Sequence, residues 1–312
     1  MGSDLKFTAQ YPLDDVASAS KWCTPEAICG YASKAEEVGY SAVAFTEHPA
    51  PPKTWIEGVG GHAALDPFVA LTLCGSCTTA LQLVTYLVIA PYRNPFLLAK
   101  SAASVDLLSG GRLLLGLGAG YLDGEFRALG VDPDERAMLL HETIALLPKA
   151  WSGRAFSASG RHFEASDVIM SPVPERPIPI WLGGNSRTMR RWVAEYADGW
   201  APLLVDSAAA RRAGTRPLSG AGALAAAVRE LHEFVEAAGR DPEQIQVHVK
   251  GPASRIRTGF DPSRQLDEVG ALAAAGATYF VVHPLAEEPA AAMDIMVEYA
   301  ETVLSYFRKA TI

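Results

Sequence analysis

The sequence predicts an α/β fold, namely a (β/α)8 TIM barrel with a small hairpin insertion before the fifth strand. Eight short apolar runs occur along the 312 residues, and each run is followed by a segment with helical periodicity. The runs lack strict alternation of polar and apolar residues, as expected for parallel strands that are covered by helices. Eight such units favour a closed barrel over a doubly wound open sheet. We therefore expect a single domain over residues 1–312.

The predicted strands are runs of branched and aromatic residues that lie between turn-forming residues. Such a run can be continuously apolar, because both faces of a parallel strand contact other parts of the protein. In chain order the predicted strands cover residues 5–11, 42–46, 81–90, 113–117, 178–182, 200–205, 245–250 and 278–283.

Three helices are predicted to begin where an N-cap residue precedes a proline at the first helical position, at Thr24-Pro25, Asp66-Pro67 and Asn94-Pro95. Later helices are predicted from apolar residues that recur on one face, in the segments 140–151, 189–196, 224–238, 266–272 and 293–307. Pro148 lies inside the first of these segments, so we expect a kink or a break there.

Two segments interrupt the alternation of strands and helices. Residues 152–177 are rich in Gly, Ser and Pro, and a small hairpin is expected around Gly160. Residues 205–223 contain an Ala/Arg/Gly-rich stretch, for which we predict a mobile loop.

The charge balance argues against two classes of partner. The chain has 27 Lys and Arg against 35 Asp and Glu, which gives a net charge of −8. An acidic protein is not typical of binders of nucleic acid or of anionic membranes. The uncharged stretch 67–92 is interrupted by polar residues, so we interpret it as a buried helix and strand rather than a membrane span.

The cysteines and histidines indicate neither a disulfide framework nor a metal site. We interpret Cys23, Cys29, Cys74 and Cys77 as the free thiols of a cytoplasmic protein. Cys74 and Cys77 form a CxxC pair, but the apolar stretch around them favours small buried side chains over a redox or metal role. No spacing typical of metal ligands occurs, and we expect no bound metal.

In a barrel of this kind the active site lies at the C-terminal ends of the strands. Glu47 and His48 follow the second predicted strand, and a histidine there can exchange a proton near neutral pH. Because neighbours on a strand point in opposite directions, Glu47 need not act together with His48. A rim histidine that is bonded to a loop is the alternative interpretation.

Two glycine-rich turns also lie at predicted strand ends. Residues 116–120 read GxGxG, which indicates either a tight turn or close approach of the backbone to a flat or phosphorylated ligand. Residues 183–186 (GGNS) precede a helix, so their N–H groups and the helix N-terminus together predict a phosphate cradle. A plain N-cap is the alternative for this second turn.

Several motifs, in this order along the chain, together resemble the bacterial luciferase-like flavin- or deazaflavin-dependent oxidoreductases. The motifs are Glu47-His48, YRNP at 92–95, LLSGGRLLLGLGAG at 107–120, Glu125-Phe126, Gly130-Val131, GRHF at 160–163, PIWLGGNS at 179–186 and Asp198-Gly199-Trp200. The resemblance extends from the first strand to about Leu203. Within this luciferase-like monooxygenase superfamily, the SGGR and GGNS segments are closer to the branch that depends on coenzyme F420.

The resemblance implies a barrel that binds coenzyme F420, or alternatively FMN, at its C-terminal mouth. The residues that it implies for cofactor binding are Gly183, Gly184, Asn185 and Ser186 at the phosphate, and Gly118, Ala119, Gly120 and Tyr121 beside the cofactor. His48, with Glu47 next to it, would lie near the reactive face of the ring. The family often has a cis non-proline peptide in the third strand, and the matching place here is Thr85-Tyr86-Leu87.

Two chemistries follow from the resemblance. With F420 the reaction is hydride transfer to or from an unidentified organic substrate, with His48 as proton donor or acceptor. With reduced FMN it is oxygen activation and monooxygenation, which requires a flavin reductase as partner.

A homodimer is expected, because the uncharged helix at 68–77 offers an apolar outer face.

Other interpretations of the residues remain open. Lys250 ends an apolar strand, which is also typical of a lyase or aldolase barrel with a Schiff-base lysine. A cofactor-binding barrel without catalytic activity is a third class. Four residues after the second strand predict a partly aromatic pocket wall, or merely the packing of that loop: Trp55, Ile56, His62 and Phe68.

Overall fold

Parallel strands close into the predicted barrel in the computed structural model, which describes residues 5–58 and 61–309. Each strand pairs with the next around the barrel, and the last strand pairs with the first, so the sheet has no open edge at that point. The barrel strands, in order around the barrel, are β1 (Lys6–Gln10), β2 (Ala42–Phe45), β3 (Gln82–Thr85), β5 (Leu113–Gly118), β8 (Ile180–Gly183), β9 (Gly199–Ala201), β10 (Gln246–Val249) and β12 (Tyr279–Pro284).

Four other strands of the described residues lie off this path. The strand β4 (Val88–Ile89) pairs with β5, and β11 (Arg255–Ile256) pairs with β12. The predicted hairpin is formed by β6 (Phe156–Gly160) and β7 (Phe163–Val168), which pair in antiparallel fashion. The third predicted strand, 81–90, is therefore two strands, because the chain leaves the barrel sheet between β3 and β4.

Helices cover the outside of the barrel. The longer ones are α2 (Pro25–Val38), α4 (Pro67–Cys77), α5 (Pro95–Leu108), α7 (Arg136–Ala150), α8 (Arg187–Tyr196), α10 (Gly220–Ala237), α11 (Pro262–Ala274) and α12 (Pro289–Tyr299). The short ones are α1 (Ala19–Trp22), α3 (Lys53–Ile56), α6 (Asp123–Ala128), α9 (Ser207–Arg212) and α13 (Ser305–Lys309). In the part of the chain described, no helix combines the length and the apolar character that a membrane crossing requires.

The predicted N-caps are confirmed. The Thr24 side chain accepts a hydrogen bond from the Ala27 N–H at the start of α2. The Asp66 and Asn94 side chains accept from N–H groups in the first turns of α4 and α5. Each cap satisfies backbone donors that have no partner within the helix, so these residues fix where the helices begin.

Three expectations for the helices need correction. The helix α7 continues through Pro148 and ends at Ala150, so the predicted break is absent. Within 205–223, α9 forms on the Asp206 cap, and α10 begins at Gly220 instead of near 224. The last predicted helix is α12 followed by a π-helical turn at 300–304 and then by α13. The mobility of 205–223 stays a prediction.

The core has two layers. The larger layer lies between the strands and the helices. The smaller layer fills the barrel interior and includes Tyr86, Trp181 and Tyr279, with His248 bonded to Thr8 at 3.0 Å. Burial lowers the pKa of His248 to about 3, so this ring is neutral at physiological pH. The interior layer closes the barrel beneath the strand ends and leaves the space above them open for a site.

Candidate active site

A cavity of about 580 Å³ lies at the C-terminal ends of β2, β3, β5, β8, β9 and β10. Its volume is in the range typical of sites for small molecules and cofactors. The predicted site residues that line it are Glu47, His48, Tyr86, Leu87, Gly118, Ala119, Gly120, Tyr121, Gly183, Gly184, Asn185 and Ser186. Thr85 does not line it, because its buried hydroxyl donates to the Gly116 carbonyl (2.9 Å) and accepts from the Gly116 N–H (2.8 Å).

His48 is held by a buried carboxylate to which the sequence analysis gave no role. Its Nδ1 lies 3.1 Å from Glu125 Oε2, and Glu125 is fully buried. Glu125 also accepts from the Ala50 N–H (3.2 Å) and from the Tyr92 hydroxyl (3.2 Å). A carboxylate accepts, so Nδ1 carries the proton, and Nε2 is the nitrogen of His48 that is left to meet a ligand. Glu125 follows β5 within the matched motifs, but nothing in the sequence connects it with His48.

Glu47 faces a different partner from His48. Its carboxylate accepts from the Arg93 guanidinium, including a bond from Nε of 2.9 Å, and from the Ile89 N–H at 2.6 Å. Arg93 also binds Asp66, the N-cap of α4, at 2.6 Å. Burial raises the pKa of Glu47, and the charge of Arg93 opposes that shift. These contacts give Glu47 a positioning role, since they tie the end of β2 to β4.

The predicted aromatic wall is formed in part. The rings of Trp55 and His62 lie 4.4 and 4.8 Å from the His48 ring, measured between centroids. Burial lowers the pKa of His62 to about 4, and its Nδ1 donates to the Ala63 carbonyl at 2.9 Å. Neutral His62 therefore presents Nε2 as an acceptor. Phe68 is buried in the core instead, beneath the Arg93 guanidinium.

The peptide bond between Tyr86 and Leu87 is cis, at the place that the resemblance implied. The Leu87 side chain lies across the strand ends of β5 and β8. A Cβ atom at Gly118 would lie 3.3 Å from Leu87 Cδ1, and one at Gly183 would collide with the same atom. Glycine at these positions lets Leu87 form one smooth apolar wall of the cavity together with Ile89.

One side of the cavity, here called the anion end, consists of residues 183–186, Thr215 and Arg216. Ser186 caps α8 by accepting from the Met189 N–H at 3.1 Å. The positive end of the α8 dipole therefore faces the cavity that Arg216, an exposed residue, also lines. The sequence analysis placed Arg216 in a loop and gave it no role.

Asn185 is committed to the loop rather than free for a phosphate. Its Nδ2 donates to the Leu203 carbonyl (2.7 Å) and to the Arg216 carbonyl (2.8 Å), while its Oδ1 accepts from the Leu203 N–H (3.0 Å). Its backbone N–H donates to Thr215 Oγ1 at 3.2 Å. Asn185 therefore holds the loop that closes the anion end.

This arrangement predicts the effect of Asn185→Asp. The variant replaces a donor by an oxygen that faces two carbonyl groups, so the loop at 215–216 should move away from the anion end. Unsatisfied buried groups cost about 1–3 kcal/mol, so we expect cofactor affinity to fall by at least about tenfold. Fluorescence titration of F420 measures this, with exposed Gln244→Glu as the matched control. Unchanged affinity would show that the cofactor does not depend on this end of the cavity.

The residues present fit a flat cofactor with a phosphate group. Apolar side chains and glycines form walls for a ring system, and the anion end supplies a cation and a helix N-terminus for the phosphate. His48 follows β2, which is separated from β8 by β3 and β5 around the barrel. The same cavity therefore joins an anion site to a group that can exchange a proton.

A closed barrel with a cavity at the C-terminal ends of its strands is typical of the (β/α)8 enzymes. A family model for luciferase-like monooxygenases matches residues 12–301 of this chain. The chain belongs to the luciferase-like monooxygenase family, and the family membership predicted from the motifs is confirmed.

Two relatives and one solved structure are similar to this chain. An F420-dependent hydroxymycolic acid dehydrogenase of Mycobacterium tuberculosis is 27% identical, over 90% of this chain and 84% of that protein. An F420-dependent glucose-6-phosphate dehydrogenase of Gordonia bronchialis is 30% identical, over 59% of this chain and 54% of that protein. The chain thus matches about half the length of this second relative. The monooxygenase RslO1 from Streptomyces bottropensis has the same fold, with a TM-score of 0.79 and 18% identity over 97% of this chain and 100% of that chain.

Proposed function

We propose that this protein is an oxidoreductase that uses coenzyme F420 to transfer a hydride to or from a small organic substrate. The observation that carries the proposal is the single cavity in which an anion end and the His48–Glu125 pair meet. The two F420-dependent dehydrogenases among the relatives support F420 over FMN. A lysine-dependent lyase has less support, because the family to which the chain belongs is named for redox chemistry.

Each part of the cavity has a role in this proposal. Bound F420 supplies the hydride chemistry, and the protein supplies binding and orientation. Leu87 and the glycines at 118 and 183 provide the surface for a ring system. Arg216, Ser186 and the N-terminus of α8 hold the phosphate, while Asn185 positions the loop.

His48 moves the proton that accompanies the hydride. Glu125 accepts from Nδ1 and fixes the orientation of the ring, which leaves Nε2 to accept a proton from an alcohol or, once protonated, to give one to a carbonyl oxygen. Trp55 and His62 pack on the ring and limit the access of water to it. Glu47 acts at a distance from the chemistry, through Arg93 and the Ile89 N–H.

The cofactor is tested by parallel titrations of the purified protein with F420 and with FMN, followed by cofactor fluorescence. We expect micromolar binding of F420 and much weaker binding of FMN. The reverse preference would favour the FMN-dependent monooxygenase, which also needs a reductase partner. Binding of neither would refute the proposed function and favour the lyase or a barrel without redox activity. The homodimer and the cytoplasmic location stay predictions.

A further inference from the structure

The cavity also carries the ammonium group of Lys250, which forms no salt bridge with any of the described residues. Lys250 follows β10, and its carbonyl accepts from the Leu204 N–H at 2.7 Å, which fixes the backbone at this point. The side chain lines the cavity, with Nζ 5.8 Å from the centroid of the Tyr86 ring. We call the group formed by His48, His62 and Lys250 the substrate end.

Asp14 is the acid whose charge acts most strongly on Lys250, and it already forms an ion pair with Arg255. Asp14 Oδ2 lies 2.7 Å from His283 Nε2, and Asp14 Oδ1 accepts from Arg255 at 2.9 Å. Within the described residues, Lys250 forms no salt bridge. Glu47 is the acid that lines the cavity, and Arg93 neutralises it.

The charge on Lys250 persists at neutral pH. Burial lowers the pKa of Lys250 to about 8, and the nearby charge of Asp14 opposes the shift. The amine is therefore mostly protonated at pH 7, and its charge contributes to the lowered pKa of His62. Lys250 is partly buried, so a charge there that forms no salt bridge is incompletely compensated. An anionic ligand would supply that partner.

The two histidines at the substrate end complement this cation. His62 donates through Nδ1 to the Ala63 carbonyl, and His48 donates through Nδ1 to Glu125, so each ring offers Nε2 as an acceptor. Two acceptors beside one cation match a ligand that has a hydroxyl and an anionic group. The arrangement does not match a purely hydrocarbon substrate, which would leave all three polar groups unsatisfied.

We propose that the substrate is a small organic anion, a carboxylate or a phosphate ester that also carries the hydroxyl or carbonyl to be converted, and that Lys250 is the residue that selects it. The assignment of the reacting oxygen to His48 rests on the proposed function. The binding of an anion at Lys250 does not, since it follows from the charges that line the cavity.

The test uses three phenyl probes of similar size: benzoate, phenyl phosphate and uncharged benzamide. Calorimetric titration of the cofactor-free and the F420-saturated protein should show at least tenfold tighter binding of one or both anions than of benzamide. The variant Lys250→Met should lose that preference, and Lys250→Arg should retain most of it. Lys149→Met is the matched control, because it removes the same charge from an exposed position on α7.

The outcomes separate this inference from the cofactor assignment. A preference for benzoate indicates a carboxylate substrate, and a preference for phenyl phosphate indicates a phosphate ester. Equal binding of all probes, binding of none, or a preference that persists in Lys250→Met would overturn the inference. The last result would place the anion at Arg216 instead. If the anion preference is found but F420 does not bind, the proposed function fails and the role of Lys250 stands.

Discussion

His48→Gln should lower the turnover of hydride transfer by about 10² to 10⁴, the range typical of the loss of a general acid or base. Glutamine can keep a hydrogen bond to Glu125, but it cannot take up or release a proton. The affinity for F420 should change little, because the groups that we propose to hold the phosphate lie on β8, α8 and the loop at 215–216. The substrate for the assay comes from a screen of small hydroxy and oxo anions.

Steady-state kinetics and F420 fluorescence titration together measure this effect. The expected result is a fall in kcat with an F420 Kd within about threefold of that of the native protein. His162→Gln, at an exposed position in the hairpin, is the matched control and should behave like the native protein. A variant with undiminished kcat would show that the proton moves through another group. His62 would then be the next residue to replace, since its ring lies 4.8 Å from that of His48.

Local patterns were sufficient to predict the barrel and the starts of three of its helices, α2, α4 and α5. A parallel strand buried on both faces must be apolar along its length, and Asp66-Pro67 or Asn94-Pro95 caps a helix through contacts within a few residues. The exceptions have local causes as well. Residues 81–90 contain no Gly, Pro, Asn or Asp, so the pattern contains no turn signal for the separation of β3 from β4.

Only those site residues that directly follow a predicted strand could be predicted from the sequence. The motifs placed His48 and the glycines at 183 and 184 at the mouth of the barrel, where the structure has them. The partner of His48 is Glu125, which is 77 residues further along the chain. The amide of Asn185 is likewise used by carbonyl groups 18 and 31 residues away. Such pairings depend on the packed structure, and one sequence gives no separate signal for them.

Arg93→Met should give the largest loss of stability among these variants. Glu47 is 4% exposed, and Arg93 is its cationic partner, so the variant leaves a buried carboxylate with only the Ile89 N–H as donor. Removing one partner of a buried ion pair costs about 3–5 kcal/mol. Asp66 also loses a partner, but it is more exposed and keeps its contacts to the first turn of α4. The free energy of unfolding from urea titration at neutral pH measures the effect.

Acid pH should reduce the loss of stability that Arg93→Met causes. Burial raises the pKa of Glu47, and removal of the opposing charge of Arg93 raises it further above its value in the unfolded chain. A group with a raised pKa favours the folded state below its unfolded pKa, and this advantage disappears as the pH rises through the folded pKa. The difference in the free energy of unfolding between Arg93→Met and the native protein should therefore become smaller as the pH falls towards the pKa of a glutamate in the unfolded chain.

A double variant distinguishes the cost of the unpaired buried charge of Glu47 from the cost of the lost packing of Arg93. Arg93→Met combined with Glu47→Gln has no buried carboxylate, so it should recover most of the stability that Arg93→Met loses at neutral pH. Glutamine still offers an oxygen to the Ile89 N–H, which keeps the tie between β2 and β4. If the double variant is as unstable as Arg93→Met, the loss of stability comes from the packing of the guanidinium on the Phe68 ring. If it recovers, Glu47 and Arg93 act as one unit that fixes the strand end next to His48.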